Sequence, residues 1–259
     1  MLNKNRVLVA MSGGVDSSVA VNKILDKGYE VIGITFKLWE NIDPITKRKK
    51  NSLCNSTEAI NRAKLVCDRL GIHHYTLDYI DSFKKNVVED FVSQYMQGKT
   101  PNPCVRCNSH VKWNSLIEHA NKLNAYYIST GHYAGIVENK IVRGKDEHKD
   151  QSYMLWHLER GHIQRTMLPL GEMTKSEVRE YANKNNLETS EIPDSQDLCF
   201  VMDGDYRDFL NEYMPEKMNN INNGDIENEK GEVIGAHSGF TDYTVGQRKG
   251  LQLSYPEPR

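Results

Sequence analysis

The first two thirds of the chain alternates short apolar runs with stretches whose apolar residues recur at helical spacing. The runs RVLVAM, EVIGITF, HHYTLDYI and AYYIST, at 6–11, 30–36, 73–80 and 125–130, have the length of buried strands. The periodic stretches predict helices over 15–27, 57–70, from the end of the third run to about 97, 114–123 and 175–186. This alternation predicts an α/β fold with a doubly wound parallel sheet.

The character of the chain changes after about Asp203, where the sequence becomes polar and rich in Asn and Gly before short strand-like pieces follow. We therefore predict a main domain over 1–203 and a small β-containing domain over 204–259. Within the main domain, AGIVENKIVRGKD predicts a hairpin that turns at Glu138-Asn139, and YMLWHL (153–158) is interpreted as core packing. The extended end LSYPEPR is typical of a linker, so we expect a longer natural chain.

Composition narrows the class of protein. Of 259 residues, 38% are hydrophobic and 26% charged, which is ordinary for a soluble globular protein. The net charge of −2 argues against a general polyanion binder but leaves room for a local basic face. No apolar run reaches membrane-spanning length and the N-terminus lacks a signal pattern, so we expect a cytoplasmic protein. Five cysteines do not suggest a disulfide scaffold, and Cys67 falls on the apolar face of its predicted helix.

The stretch AMSGGVDSSVA (10–20) places a Ser-Gly-Gly turn between a predicted strand and a predicted helix. Such a turn brings backbone N–H groups to a ligand at a helix start, which is an anion site. Asp16 would repel phosphate, unless it helps to hold Mg²⁺ or orients the loop. The stretch lacks the Walker A pattern. It resembles instead the PP-loop, SGGxDS, of the ATP pyrophosphatases, which cleave ATP between the α- and β-phosphates.

Two cysteine motifs follow. Cys104 and Cys107 form a C-x₂-C pair in a stretch with two prolines, which we interpret as a stiffened loop. The pair fits half of a zinc site, half of an iron–sulfur site or a redox pair, and no second C-x₂-C follows to complete a zinc ribbon. Cys199 is near Asp194 and Asp197, whose charges should raise the pKa of a thiol, so a reactive role needs a basic neighbour.

Together with TGHYA, KDQSYML and TVGQRKGL, the segments AMSGGVDSS, GKTPNPCVRCN and PDSQDLCF resemble the tRNA-specific 2-thiouridylases, from about residue 6 to residue 251. The resemblance implies an RNA-binding sulfurtransferase that uses ATP, with Mg²⁺, and a persulfide to convert uridine at the tRNA wobble position to 2-thiouridine. AMP and diphosphate are released. Its implied partners are tRNA and a sulfur donor protein, a cysteine desulfurase or sulfur relay, and no membrane.

The resemblance also implies roles for individual residues. Cys107 matches the family's nucleophile and Cys199 the cysteine that carries the persulfide, and the two would form a disulfide as the sulfur leaves. The positions that match the ATP site are Ala10, Met11, Ser12, Gly13, Gly14, Val15, Asp16, Ser17, Phe36 and Gly131. The positions that match the tRNA contacts are Asn102, Pro103, Cys104, His132, Lys149, Asp150 and Gln151.

The chain departs from the family pattern in two ways. Many members have Asp where this chain has Cys104, so the acid/base role of that carboxylate is open. The extra thiol also allows a [4Fe–4S] cluster on Cys104, Cys107 and Cys199, as in related tRNA thiolases. The second departure is that the family's C-terminal β-barrel is expected to be absent.

Two other function classes remain open from the sequence. A PP-loop enzyme with a nitrogen nucleophile, such as an amidotransferase-type synthetase or a lysidine-type tRNA ligase, would share the glycine turn but need no reactive thiol. A non-catalytic tRNA-binding module would need neither the thiols nor ATP turnover.

Overall fold

The computed structural model describes residues 1–40, 57–194, 198–201, 205–251 and 253. Asp197 and the predicted boundary between 203 and 204 lie outside the described residues. By the density of internal contacts the chain divides into two compact units. The first comprises Met1–Val87 and Pro103–Phe200, and the second comprises Val88–Asn102 and Val201–Arg259.

A five-stranded sheet with parallel pairings forms the centre of the first unit, which confirms the predicted fold class. Its strands lie in the order β3-β2-β1-β4-β7: His74–Asp78, Glu30–Lys37, Asn3–Ala10, Ala125–Ser129 and Thr166–Met167. The first four are the predicted strands with small shifts at their ends. The last pairs through only two residues, which is too short for a hydrophobic pattern to reveal.

Helices of the first unit follow the strands. Their bounds are α1 Val15–Asp26, α2 Thr57–Arg69, α3 Ile80–Phe83, α5 Pro103–Arg106, α6 Trp113–Lys122, α7 Arg160–Ile163 and α8 Lys175–Lys184. Two π-helical segments, Lys84–Val88 and Cys107–Lys112, continue α3 and α5. A hairpin of β5 (Ala134–Val137) and β6 (Lys140–Arg143) turns at Glu138 and Asn139, whose φ values of 49° and 60° are those of a two-residue type I′ turn, as predicted.

The core lies on the sheet. One cluster joins β1 and β2 to α1 and α2 and contains Cys67, which is fully buried. A Cβ atom on Gly33 would lie 2.6 Å from the Cys67 sulfur, so the thiol fills the space that this glycine leaves. A second cluster packs α1 against α8. The interpretation of Cys67 as a core residue is confirmed.

The second unit contains helices α4 (Glu89–Tyr95), α9 (Tyr206–Tyr213) and α10 (Pro215–Met218). It also contains a two-stranded antiparallel sheet of β8 (Gly224–Glu227) and β9 (Val233–His237). Rings of Tyr95 and Tyr206 stack at 4.5 Å, which joins the two segments of this unit. The expectation of a small β-containing part is confirmed, and α9 and α10 were not predicted.

Two local expectations are wrong. The C-x₂-C motif lies in a helix rather than a loop, because Pro103 occupies the first helical position, where a missing N–H costs nothing. The stretch YMLWHL is only partly core. Leu155 and Leu158 are buried, whereas the rings of Tyr153 and Trp156 are exposed.

Candidate active site

The turn between β1 and α1 is a tight backbone loop against α2. Gly13 has a φ of +75°, and a Cβ atom on it would lie 2.1 Å from the carbonyl oxygen of Ala59, so only glycine fits. Gly14 is the N-cap of α1, and no side chain caps this helix. Arg62 donates through Nε to the Gly13 carbonyl oxygen over 3.1 Å. Uncapped N–H groups beside a guanidinium give this loop a potential suited to an anion.

Three serines shape the loop. The Ser17 hydroxyl accepts the backbone N–H of Ser12 over 3.1 Å and donates to the Gly14 carbonyl oxygen over 3.0 Å. The Ser18 hydroxyl donates to the same oxygen over 3.0 Å. Ser17 and Ser18 are buried and Ser12 is exposed. The two buried hydroxyls therefore hold the turn, and Ser12 is the serine that a ligand can reach.

Asp16, the acidic residue of the loop, is held by two partners. Lys175 Nζ lies 2.7 Å and 2.8 Å from its two carboxylate oxygens, and the Tyr133 hydroxyl donates to Oδ1 over 2.6 Å. Lys175 is mostly buried, with 13% of its side chain exposed. A Cβ on Gly131 would lie 2.9 Å from the Asp16 carbonyl carbon, so β4 ends directly against this turn. These contacts favour the orienting role for Asp16.

The ion pairs extend from Lys175 to Asp194. Lys175 Nζ lies 2.8 Å from Asp194 Oδ1, and Lys149 and Arg179 contact the same carboxylate at 2.7 Å and 3.0 Å. Burial alone would raise the pKa of Asp194, but the hydrogen bonds from Lys149 and Lys175 outweigh it and hold the pKa at about 2. The charge expected to disfavour a thiolate at Cys199 is therefore balanced by three cations.

Cys199 itself is half-buried and forms no disulfide. The next residue, Phe200, is buried and packs its ring against those of Phe83 at 5.8 Å and Trp39 at 6.2 Å. The backbone at Cys199 is thus anchored on its C-terminal side by Phe200, and the chain before it is fixed at Asp194.

Cys104 and Cys107 lie three residues apart at the start of a helix, which places them on neighbouring positions of one face. Burial raises the pKa of both thiols above the ordinary value, and the Lys112 ammonium offsets only part of that rise. Cys107 is buried and Cys104 is half-buried. Lys112 is thus the cation that favours a thiolate at either position.

His132 is close to the same lysine. Burial, and then the charge of Lys112, lowers the pKa of His132 to about 3, so the imidazole is neutral. Its Nδ1 lies 2.8 Å from the Thr130 hydroxyl and its ring 5.5 Å from that of buried Trp113. His132 therefore lies close to Trp113 and within the influence of Lys112, and its contact with tRNA stays a prediction.

Comparisons with known proteins agree on one family. The chain matches the model of a tRNA methyl transferase HUP domain over residues 5–203 and that of a tRNA methyl transferase PRC-barrel domain over 207–259. A tRNA-specific 2-thiouridylase MnmA of Carboxydothermus hydrogenoformans is 43% identical over all of this chain and 71% of its own length. That of Amoebophilus asiaticus is 44% identical over 98% of this chain and 69% of its own length. The chain belongs to the MnmA family of tRNA-specific 2-thiouridylases.

Solved structures that are similar include NMN synthetase from Francisella tularensis, with a TM-score of 0.46 and 15% identity over 82% of this chain and 77% of that one. A predicted subunit of tRNA methyltransferase from Methanocaldococcus jannaschii has a TM-score of 0.42 and 16% identity over 82% and 87%. The fold assignment for this MnmA chain depends on its own sheet order and on the family model.

In this MnmA chain the segment 149–151, predicted to contact tRNA, also makes internal contacts. Asp150 accepts the Ser152 hydroxyl over 2.7 Å, and Gln151 Oε1 accepts the Tyr133 backbone N–H over 3.0 Å. Lys149 is paired with Asp194. The segment supports the loop that carries Tyr133, and its contact with tRNA stays a prediction.

Other predicted ligand residues are placed less directly. Phe36, Met11 and Val15 are buried, and Phe36 packs on the ring of Tyr79 at 5.3 Å. Ala10 ends β1 and Pro103 begins α5. A nucleotide would therefore meet Met11 and Val15 through the backbone, and all these ligand roles stay predictions.

The disulfide expected between Cys107 and Cys199 is not formed in this structure, and no other pair of the described cysteines is linked. In the described ranges no three His, Cys, Asp or Glu side chains come together in a way that could hold a metal ion. The [4Fe–4S] cluster on Cys104, Cys107 and Cys199 and the Mg²⁺ that accompanies ATP stay predictions. Across the same ranges, every helix is too short or too polar to span a membrane.

Sequence reasoning missed Lys175 and Tyr133. A signal for Lys175 existed, because Thr174 and Glu177 form a capping box that marks the start of α8 and places Lys175 in its first turn. Its pairing with Asp16, 159 residues away, could not be read from that signal.

Proposed function

We propose that this chain, a tRNA sulfurtransferase of the MnmA family, converts wobble uridine to 2-thiouridine by ATP-dependent adenylation followed by transfer of sulfur from a persulfide on Cys199. The observation that carries this proposal is the chain of ion pairs from Asp16 through Lys175 to Asp194. It connects the glycine loop, where ATP would bind, with the segment that leads to Cys199.

In the first stage the uracil O2 attacks the α-phosphorus of ATP, and diphosphate leaves. The uncapped N–H groups of α1, the Ser12 hydroxyl and Arg62 are the groups suited to hold the departing diphosphate. Adenylation turns a poor leaving group at C2 into AMP, which leaves readily. Mg²⁺ enters this proposal only as the usual companion of the ATP phosphates, since the described residues offer no cage for it.

In the second stage the terminal persulfide sulfur on Cys199 attacks C2 and AMP leaves, so the sulfur bridges Cys199 and the base. The Cys107 thiolate then attacks the Cys199 sulfur, which forms a Cys107–Cys199 disulfide and releases the second sulfur as 2-thiouridine. Oxidation of the two cysteine thiols to the disulfide supplies the two electrons that the released sulfur takes up. A thiol reductant then returns both cysteines to thiols. Burial raises the pKa of Cys107, and Lys112 offsets part of that rise, so this lysine is the cation that favours the thiolate which the step needs.

The target base must leave the anticodon stack to reach the thiols. We propose that Asn102, Pro103 and Cys104 face this base and that His132 contacts the tRNA as a neutral imidazole, with 149–151 beside it. A cysteine desulfurase or sulfur relay protein would load Cys199. We keep 1–203 as the catalytic domain and 204–259 as the small domain.

The test is the transfer of radiolabelled sulfur to tRNA, together with ATP–diphosphate exchange in the presence of tRNA. Cys199→Ser should abolish transfer and retain exchange, because adenylation precedes the thiol step. Cys67→Ala is the control, since it removes a buried core thiol to which the mechanism assigns no step, and it should retain transfer.

Two results would contradict the proposal. Full transfer by Cys199→Ser would remove the persulfide role, and full activity of a variant without both Cys107 and Cys199 would favour a nitrogen nucleophile. The absence of any exchange in the wild-type protein would indicate a tRNA-binding module.

A further inference from the structure

Two aromatic rings of the first unit lie at the surface in a way that core packing does not explain. Trp156 is 69% exposed and Tyr153 is 54% exposed, while Leu155 and Leu158 beside them are buried. The aliphatic side chains anchor this segment and leave both rings to solvent. A largely exposed tryptophan beside an exposed tyrosine is typical of a binding surface.

The two rings line a cavity of about 550 Å³. Lys140 of the β5–β6 hairpin and Arg160 of α7 line the same cavity, and no Asp or Glu does so within the described part of the chain. In those residues neither cation is engaged in an ion pair. The volume of the cavity is within the roughly 300–1,000 Å³ that is typical of small-ligand sites. The cavity therefore offers aromatic faces and two available positive charges.

The cavity adjoins the C-x₂-C motif. Asn108, the residue after Cys107, donates through Nδ2 to the carbonyl oxygen of Met154 over 3.2 Å. Met154 lies between Tyr153 and Trp156 in the sequence. The ring of Trp156 lies 4.9 Å from that of His157, which lies 5.6 Å from that of His110. A run of rings thus leads from the cavity to the helix that carries Cys107.

We propose that this cavity binds a second nucleobase of the tRNA, a loop nucleotide near the target uridine, stacked on Trp156 and Tyr153. The inference rests on the proposed function. A base that leaves the anticodon stack deprives its neighbours of a stacking partner, and aromatic side chains replace that partner in single-strand recognition. Lys140 and Arg160 suit the phosphates on either side of that base.

The test measures binding of anticodon stem-loop RNAs in which each loop nucleotide in turn is abasic. Trp156→Ala should weaken binding of the intact RNA about five- to one-hundred-fold, the range of one base–aromatic stack. Trp156→Phe should recover most of the affinity. Tyr75→Ala, which removes a 44% exposed ring outside the cavity, is the control and should bind as the wild type does.

The abasic series identifies the stacked nucleotide. One abasic position other than the target should weaken wild-type binding by a similar factor and should weaken Trp156→Ala no further. Unchanged binding by Trp156→Ala, with thiolation intact, overturns this inference and leaves the proposed function standing. Additive losses from Trp156→Ala and from every abasic position also overturn it. A wild-type protein that neither binds nor thiolates tRNA overturns both.

Discussion

The ion pairs of Lys175 give a sharp test of how the glycine loop is held. Lys175→Met keeps a long apolar side chain but removes the ammonium. Asp16 then loses contacts of 2.7 Å and 2.8 Å and keeps only the Tyr133 hydroxyl, whereas Asp194 loses one contact and keeps Lys149 and Arg179. Of these two carboxylates, Asp194 therefore keeps two cations after the substitution, whereas Asp16 keeps none among the described residues.

The expected cost follows from the burial of the three groups. Removal of one partner from a fully buried ion pair costs about 3–5 kcal/mol. The side chains here are 13%, 33% and 20% exposed for Lys175, Asp16 and Asp194, and each carboxylate keeps a donor, so we expect a loss of about 2–3 kcal/mol. At roughly 2–4 °C per kcal/mol for a chain of this length, Tm should fall by about 4–12 °C.

Thermal and urea unfolding at neutral pH measure this loss. Lys145→Met is the matched control, because Lys145 pairs with Glu177 at 2.6 Å near the same helix start, but both side chains are almost half exposed. Such a pair contributes little to stability, so the control should unfold close to the wild type.

Acid titration gives a second readout. The pKa of Asp194 is about 2 in the folded chain, below its ordinary value, so its stabilising contribution is present above about pH 4 and is lost as pH falls through 2. Lys175→Met should raise the pKa of Asp194 in the folded chain, so the stabilising contribution becomes smaller and is lost over a narrower range of pH. A variant with the wild-type Tm and an unchanged acid profile would refute the view that Lys175 holds the loop.

Two further changes test other parts of the site. Gly13→Ala should destabilise the chain by more than the roughly 1–2 kcal/mol that a positive φ costs an alanine. Gly13→Ala should also abolish ATP–diphosphate exchange, because the added Cβ would collide with the Ala59 backbone. Gly28→Ala is the control: Gly28 also has a positive φ, but an added Cβ there meets open space, so this variant should retain exchange. Equal urea midpoints for the two variants would contradict this reasoning. His132 has a pKa of about 3 in the folded chain against about 6.5 unfolded, so its contribution is complete above pH 6.5 and falls as pH drops towards 3. His132→Asn should flatten the dependence of urea midpoints on pH over that range, and an unchanged slope would show that the pKa of His132 is not lowered in the folded chain.

The sequence predicted the central strands well because most of β2 and the second half of β1 are buried. Runs such as RVLVAM and EVIGITF are continuous in apolar residues, and their order with amphipathic helices leaves few alternatives to a parallel sheet. The glycine turn could be predicted because its signal is local: a Ser-Gly-Gly stretch stands between a strand and a helix. In the structure Gly13 has a positive φ and no side chain caps the helix.

The helix that carries the C-x₂-C motif was missed because two local signals mislead. Pro103 is a loop signal in most contexts, although it is compatible with the first turn of a helix. Residues 107–112 are π-helical, which shifts the side chains out of the 3.6-residue repeat that pattern reading depends on. Pi-helical segments of this kind often occur at functional sites, and this one begins at Cys107.

The loop shows why the remaining contacts had to come from distant sequence. A helix start that offers its N–H groups to diphosphate cannot also use a side-chain cap, and α1 has none. The free energy that a cap would contribute must be supplied elsewhere. In this fold it comes from Gly13 packed on α2, from Arg62 on the loop carbonyl and from Lys175 on Asp16. These stabilising partners lie 49 residues away for Arg62 and 159 for Lys175, where no short pattern can indicate them.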